Sequence, residues 1–108
     1  PNLDSDGHAH SGRHWHGLEA PRHLVLFNEP VLRQALQHAG FGSVRRLPSQ
    51  VREHFAIARA SHAMAQGLSP QQASARLPFG LLLAVWFMAV RAWLNPKRRE
   101  FLYVAAFR

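Results

Sequence analysis

Four histidines, His8, His10, His14 and His16, fall within nine residues near the start of the sequence. Imidazole nitrogens are ligands for zinc, copper and nickel. A His-x-His pair on an extended segment turns both rings to one face. The sequence holds no cysteine, which excludes thiolate metal sites and disulfides. No ordered helix is expected around these histidines to support a coordination shell. The four rings therefore read as weak metal candidates set against a solvent-facing loop, and no metal is assigned to them.

The elements that must position such groups follow from pattern. Residues 1–21 are poor in apolar side chains and rich in Gly, His, Ser and Asp, which reads as a loop. His23-Leu24-Val25-Leu26-Phe27 is a short apolar run and reads as a short strand. Asn28 offers a helix N-cap, with Pro30 tolerated in the first turn. Val31, Leu32, Ala35, Leu36 and Ala39 then form one helical face, and Gly40 ends it. Residues 41–47 are a weaker strand candidate closed by Pro48. Ser49 caps an expected helix from about Gln50 to Gln66, with Val51, Phe55, Ala58 and His62 on one side. Ser69-Pro70 starts a further helical turn. Leu77 to Leu94 reads as a strongly apolar helix ended by Asn95-Pro96. Residues 100–107 have strand composition, and so continuous an apolar run suits burial on both faces. The alternation of helices and strands makes the fold class α/β. The strands are short, so the pattern reads as one edge of a larger sheet.

Four stretches in this order carry a resemblance. They are Pro1-Asn2 with Ser5; Gly12-Arg13-His14-Trp15-His16-Gly17-Leu18-Glu19-Ala20-Pro21-Arg22-His23; Leu26-Phe27-Asn28 with Ala39-Gly40-Phe41; and Phe101 to Arg108. Together they resemble the C-terminal region of class I, Rossmann-like S-adenosylmethionine-dependent methyltransferases, of the broad group that includes the ubiquinone-type enzymes. The resemblance covers residues 1–47 and 99–108. It implies that Pro1-Asn2 follows the fifth sheet strand and that a last antiparallel strand inserts beside the sixth. Residues 1–27 would form a substrate-side loop and short strand, 48–98 a helical insertion and 99–108 the last strand. Arg22 and His23 would stand at the substrate mouth. There Arg22 would hold an anionic group, and His23 would take a proton from the acceptor. Trp15 would line the same mouth or pin the loop to the domain.

The resemblance also implies S-adenosylmethionine as cofactor, yet its binding residues are missing. The family's site is a Gly-rich turn after the first strand with a later acidic residue. No G-x-G-x-G occurs here, and Gly40-Phe41-Gly42 follows a helix. The cofactor-binding half is expected upstream of Pro1, and residues 1–108 alone are expected to be inactive. The sequence opens on Pro1 with no Met and no cleavable signal pattern, which points to a processed or fragment start.

The segment 77–99 offers a different reading. As a helix, Leu77–Leu94 is about 27 Å long, short of the roughly 30 Å hydrocarbon core of a bilayer. It is apolar all round, carries Trp86 and Trp93, and is followed by Lys97, Arg98 and Arg99. Such a helix is buried, forms a dimer, or lies on a membrane that holds a lipid-like acceptor. On that basis the chain is cytoplasmic or peripheral at the inner face of a membrane. The alternative to an enzyme part is a small basic membrane-associated or protein-interaction module.

The net charge is +7, and every basic residue except Lys97 is arginine. The arginines are scattered and form no basic arm, so no specific nucleic-acid partner is implied. A sheet edge left unpaired would favour a homo-oligomer.

Overall fold

The computed structural model describes residues 1–19 and 21–108. Ala20, part of the loop motif above, lies outside the described residues. The chain is mixed α/β. Helix α1 spans Asp6–Ser11, α2 Glu29–His38, α3 Arg52–Ala65 and α4 Phe79–Leu94; strand β1 spans Ser43–Arg46 and β2 Val104–Phe107.

The two strands form one antiparallel sheet, although the whole segment 48–98 separates them in sequence. Ser43 pairs with Phe107, Val44 with Ala106, Arg45 with Ala105 and Arg46 with Val104. Backbone bonds from Gly42 to the Phe107 carbonyl (2.9 Å) and from Leu47 to the Tyr103 carbonyl (2.7 Å) extend the ladder at each end.

Local chemistry accounts for α2. Asn28 Oδ1 accepts from the Val31 amide at 3.2 Å. At the other end Gly40 takes φ +88°. The Gly40 amide then donates to the Gln37 carbonyl and the Phe41 amide to the Leu36 carbonyl. This is the paired closure that a left-handed residue after a helix permits. Glu29, buried at the head of α2, is gripped by Arg33 at 2.9 Å and by Arg46 of β1. The pair ties the helix to the sheet.

Several expectations need correction. Residues 1–21 are not a loop: Ser5 caps α1 by accepting from the His8 amide, and 3₁₀ turns follow at Gly12–His14 and His16–Leu18. His8 and His10 thus lie on a helix, where positions two apart face different sides. The run 23–27 is not a strand. Among the described residues only Phe27 pairs, in an isolated parallel bridge to Asn2, and Leu24 and Val25 are exposed. Helix α3 begins behind Val51 with no side-chain cap, so Ser49 does not cap it. The last strand starts at Val104, and its residues are half-buried or exposed instead of covered on both faces.

Helix α4 packs its small side against α1 and α3. Val85, Ala89 and Ala92 are buried there. Its other side is open: Phe79, Leu83, Trp86, Val90 and Trp93 are all more than half exposed. It is therefore apolar all round but buried along one side only. No described helix is long and apolar enough to cross a membrane.

Candidate functional site

Glu100 is the centre of the buried polar structure. It lies just ahead of β2 and is 2% exposed. A carboxylate so deep must be matched by donors. Its Oε1 accepts from the Gly7 amide in the first turn of α1 at 3.1 Å, and its Oε2 accepts from Trp15 Nε1 at 2.9 Å. Its backbone carbonyl accepts from the Asn2 amide at 2.9 Å. The Asn2 side chain, also buried, donates to the Lys97 and Arg99 carbonyls at 2.9 and 2.7 Å. The first residues and the lead into β2 are thus one hydrogen-bonded unit.

Two glycines make this approach possible. A methyl group on Gly7 would fall on the Glu100 carboxylate, and one on Gly17 would clash with the Trp15 ring. The carboxylate reaches the Gly7 amide because nothing projects from that α-carbon.

A third group faces Glu100 from α3. His54 is 5% exposed, and its Nδ1 lies 3.5 Å from Glu100 Oε1. That nitrogen makes no hydrogen bond among the described residues. His54 and Glu100 border a cavity of about 260 Å³ between α1, α3 and α4. Leu81, Val85 and Met88 of α4 and Ile57 of α3 supply its apolar wall, and His10, His14 and His62 its remaining imidazoles.

The residues expected from sequence divide into three groups. Trp15 is completely buried on Glu100, which is the pinning role and leaves no face for a substrate. Arg22 and His23 are brought together at the surface by Glu19. Arg22 Nη1 pairs with Glu19 Oε1 at 2.7 Å, and His23 Nε2 lies 3.7 Å from Glu19 Oε2. The four early histidines are not brought together. His8 stacks on Trp15 with ring centroids 4.8 Å apart, and its Nδ1 donates to the Leu3 carbonyl at 2.7 Å. His10 and His14 border the Glu100 cavity, whereas His16 sits in a shallow depression beside Glu19 and Arg22. Among the described residues no three His, Asp or Glu side chains are arranged to hold a metal ion.

His54 and Glu100 escaped the sequence reading. Glu100 stood as the polar first residue of a strand, and nothing local links it to Trp15 or Gly7. The signal available was a single carboxylate opening an apolar run.

Comparison of the chain with family models, with curated proteins and with solved structures finds no match.

Proposed function

We propose that residues 1–108 are the substrate-side, sheet-edge part of an S-adenosylmethionine-dependent methyltransferase whose cofactor-binding half precedes Pro1. One observation carries this reading. Asn2 is bonded beside the lead into β2 while β2 pairs antiparallel with β1. The sequence resemblance calls for a last strand lying antiparallel beside the strand that follows α2, and the β1–β2 pairing agrees with that part of it. A strand arriving at Pro1 would run alongside residues 99–107, where β2 has an edge that β1 does not cover.

The residues present do not fit the cofactor themselves. No glycine-rich turn follows a strand here, and the deepest carboxylate, Glu100, is engaged by Gly7 and Trp15. No chemical step is therefore derived through S-adenosylmethionine. On this reading His23 is the proton acceptor and Arg22 the anion-holding group, both oriented by Glu19.

The test is the coding sequence ahead of Pro1, read in frame. A strand followed by G-x-G-x-G and a later acidic residue is expected, and the full-length chain then binds S-adenosylmethionine in a calorimeter. A stop codon immediately upstream overturns the reading. In the full-length enzyme His23→Ala lowers kcat by roughly 10²-fold or more if His23 moves the proton.

The open side of α4 supports a second reading, docking on an anionic membrane surface at the cytoplasmic face. Phe79, Leu83, Trp86, Val90 and Trp93 recur at spacings of four and three, and Lys97, Arg98 and Arg99 follow at the same end as Trp93. A helix lying in the interface uses this pairing of aromatic stripe and cations. Full-length chain should co-sediment with anionic vesicles and not with neutral ones, and Trp86→Glu/Trp93→Glu should abolish this. A salt-insensitive dimer with no affinity for vesicles would assign the stripe to a second copy instead.

A further inference from the structure

We propose that the groove between the second half of α3 and the returning segment 68–78 binds a phosphomonoester group through Arg59 and Arg76. This depends neither on methyl transfer nor on membrane docking.

Local signals build the groove. Gly67, at φ +75°, follows the end of α3, and the Leu68 amide donates to the Ala63 carbonyl at 2.9 Å. The chain thereby turns back onto the helix it has just left. A 3₁₀ turn at Pro70–Gln72 packs against α3, and the chain then leads on to α4. The space between the two walls is about 340 Å³. Small-molecule pockets run from roughly 300 to 1,000 Å³.

Charge selects the ligand. Arg59 of α3 and Arg76 of the returning segment border the groove, and no described carboxylate does. Elsewhere the chain matches its arginines from within. Glu19 takes Arg22, Glu29 takes Arg33 and Arg46, and Asp6 takes Arg91 and Arg98. Arg59 and Arg76 pair with no carboxylate among the described residues, so their counter-charge comes from outside the chain. Gln72 and Ser74 also border the groove. Gln72 Oε1 accepts from the Ser69 amide at 2.9 Å and from the Ser69 hydroxyl at 3.0 Å. Its lone pairs are filled, and the side-chain amide has only hydrogens left to offer. Ser74 Oγ accepts from the Arg76 amide at 3.2 Å and keeps its own O–H to donate. A phosphomonoester brings a charge of about −1.5 to −2 and three acceptor oxygens, which suits two forked guanidiniums. A carboxylate has a single charge, which one guanidinium satisfies. Leu68, Leu77 and Pro78 give apolar surface to the body that carries the phosphate. Pro78 adjoins Phe79, the first exposed residue of the open side of α4. The carrier is thus a soluble phosphomonoester or a lipid headgroup, and the recognition chemistry is the same.

The experiment is a calorimetric titration of the full-length chain with inorganic phosphate and, separately, with acetate, at fixed ionic strength. Expected are saturable binding of phosphate and acetate binding at least roughly tenfold weaker. Arg59→Gln and Arg76→Gln should each weaken phosphate binding roughly tenfold or more, the worth of one hydrogen bond to a charged group. Arg13 and Arg45 are exposed and lie outside the groove. The Arg13→Gln/Arg45→Gln variant should therefore change the affinity by less than about threefold, because distant exposed charges are screened. Three results overturn the proposal: no saturable phosphate binding, equal affinity for acetate, or an equal loss in the Arg13→Gln/Arg45→Gln variant, which would mean that the ion follows net charge alone. Arg59 is half-buried; if Arg59→Gln fails to fold by circular dichroism, the exposed Arg76 decides. Co-sedimentation with phosphatidylcholine vesicles that contain phosphatidate then identifies the carrier. Vesicle binding that Arg59→Gln/Arg76→Gln abolishes and inorganic phosphate competes away places the phosphate in a lipid headgroup. Vesicle binding that ignores those substitutions, or none, places it on a soluble molecule. Both results uphold the site, and loss of vesicle binding with phosphate binding intact bears on the membrane reading alone.

Discussion

Gly7→Ala is a substitution whose sign the Glu100 site should reverse. In a helix, alanine is ordinarily better than glycine by about 1 kcal/mol. At Gly7 the added methyl would land on the Glu100 carboxylate, 2.7 Å from Cδ by ideal geometry. Glu100 cannot swing aside without cost, because it is buried and bonded to the Gly7 amide and the Trp15 indole. Each hydrogen bond to a charged group is worth about 1.5–3 kcal/mol. Losing both costs about 3–6 kcal/mol against the helical gain of about 1 kcal/mol. The net expectation is destabilisation by about 2–5 kcal/mol. Equilibrium unfolding in urea, followed by tryptophan fluorescence, reads this directly. Gly80→Ala in α4 is the control. A methyl there meets nothing within 4 Å, so that variant should gain about 0.5–1 kcal/mol. A Gly7→Ala protein as stable as the parent, or more stable, would refute the close packing of α1 on Glu100.

Trp15→Phe removes the indole donor and part of the buried ring, and should cost about 2–4 kcal/mol in the same urea assay. A change within error would mean that Glu100 finds another donor. Gly40→Ala tests backbone strain alone, since φ is +88° and an added methyl meets nothing within 4 Å; a loss of about 1–2 kcal/mol is expected. Glu29 predicts a pH dependence. Burial alone would raise its carboxyl, but hydrogen bonds and charge from Arg33 and Arg46 outweigh this and hold it below its ordinary value of 4.5. Its folded pKa is depressed, so its contribution is fully present above 4.5 and fades as pH falls through the folded value. Glu29→Gln should flatten the stability-against-pH curve below 4.5, and an unchanged slope there would remove Glu29 from the acid response.

Helix α2 was legible because both its ends are local. Asn28 caps through its own side chain, and Gly40 supplies the conformation that the closure needs, so spacing and punctuation suffice. Helix α3 was legible from apolar periodicity and α4 as a continuous apolar run closed by Asn95-Pro96, though the α3 start was displaced because Ser49 makes no capping bond. Helix α1 was hidden for the opposite reason. It is six residues long, too short to stand alone, and a bond from its Gly7 amide to a residue far along the chain holds it. Its polar composition reads as a loop until Glu100 is in place. The candidate site was hidden in the same way. Trp15 could be seen as a pin or a lining residue, but only its contact with Glu100 separates the two. His54 sits on a helix whose apolar face was traced through Val51, Phe55 and Ala58, and a single histidine nearby carries no periodic signal.

The bonds that join Asn2, Gly7 and Trp15 to residues 97–100 also set an order of events during synthesis. When residues 1–15 leave the ribosome, the groups that complete them have not been made. Until Glu100 follows, Trp15 has no acceptor for its indole, and α1 has only its Ser5 cap. Helices α2 and α3 carry their own punctuation and can form while the chain grows. The early histidine-rich segment must wait, exposed, until residues 97–100 have followed. Its scarcity of apolar side chains is what such a wait requires: a segment that emerges well ahead of its partners stays soluble only if it offers little for other chains to bind.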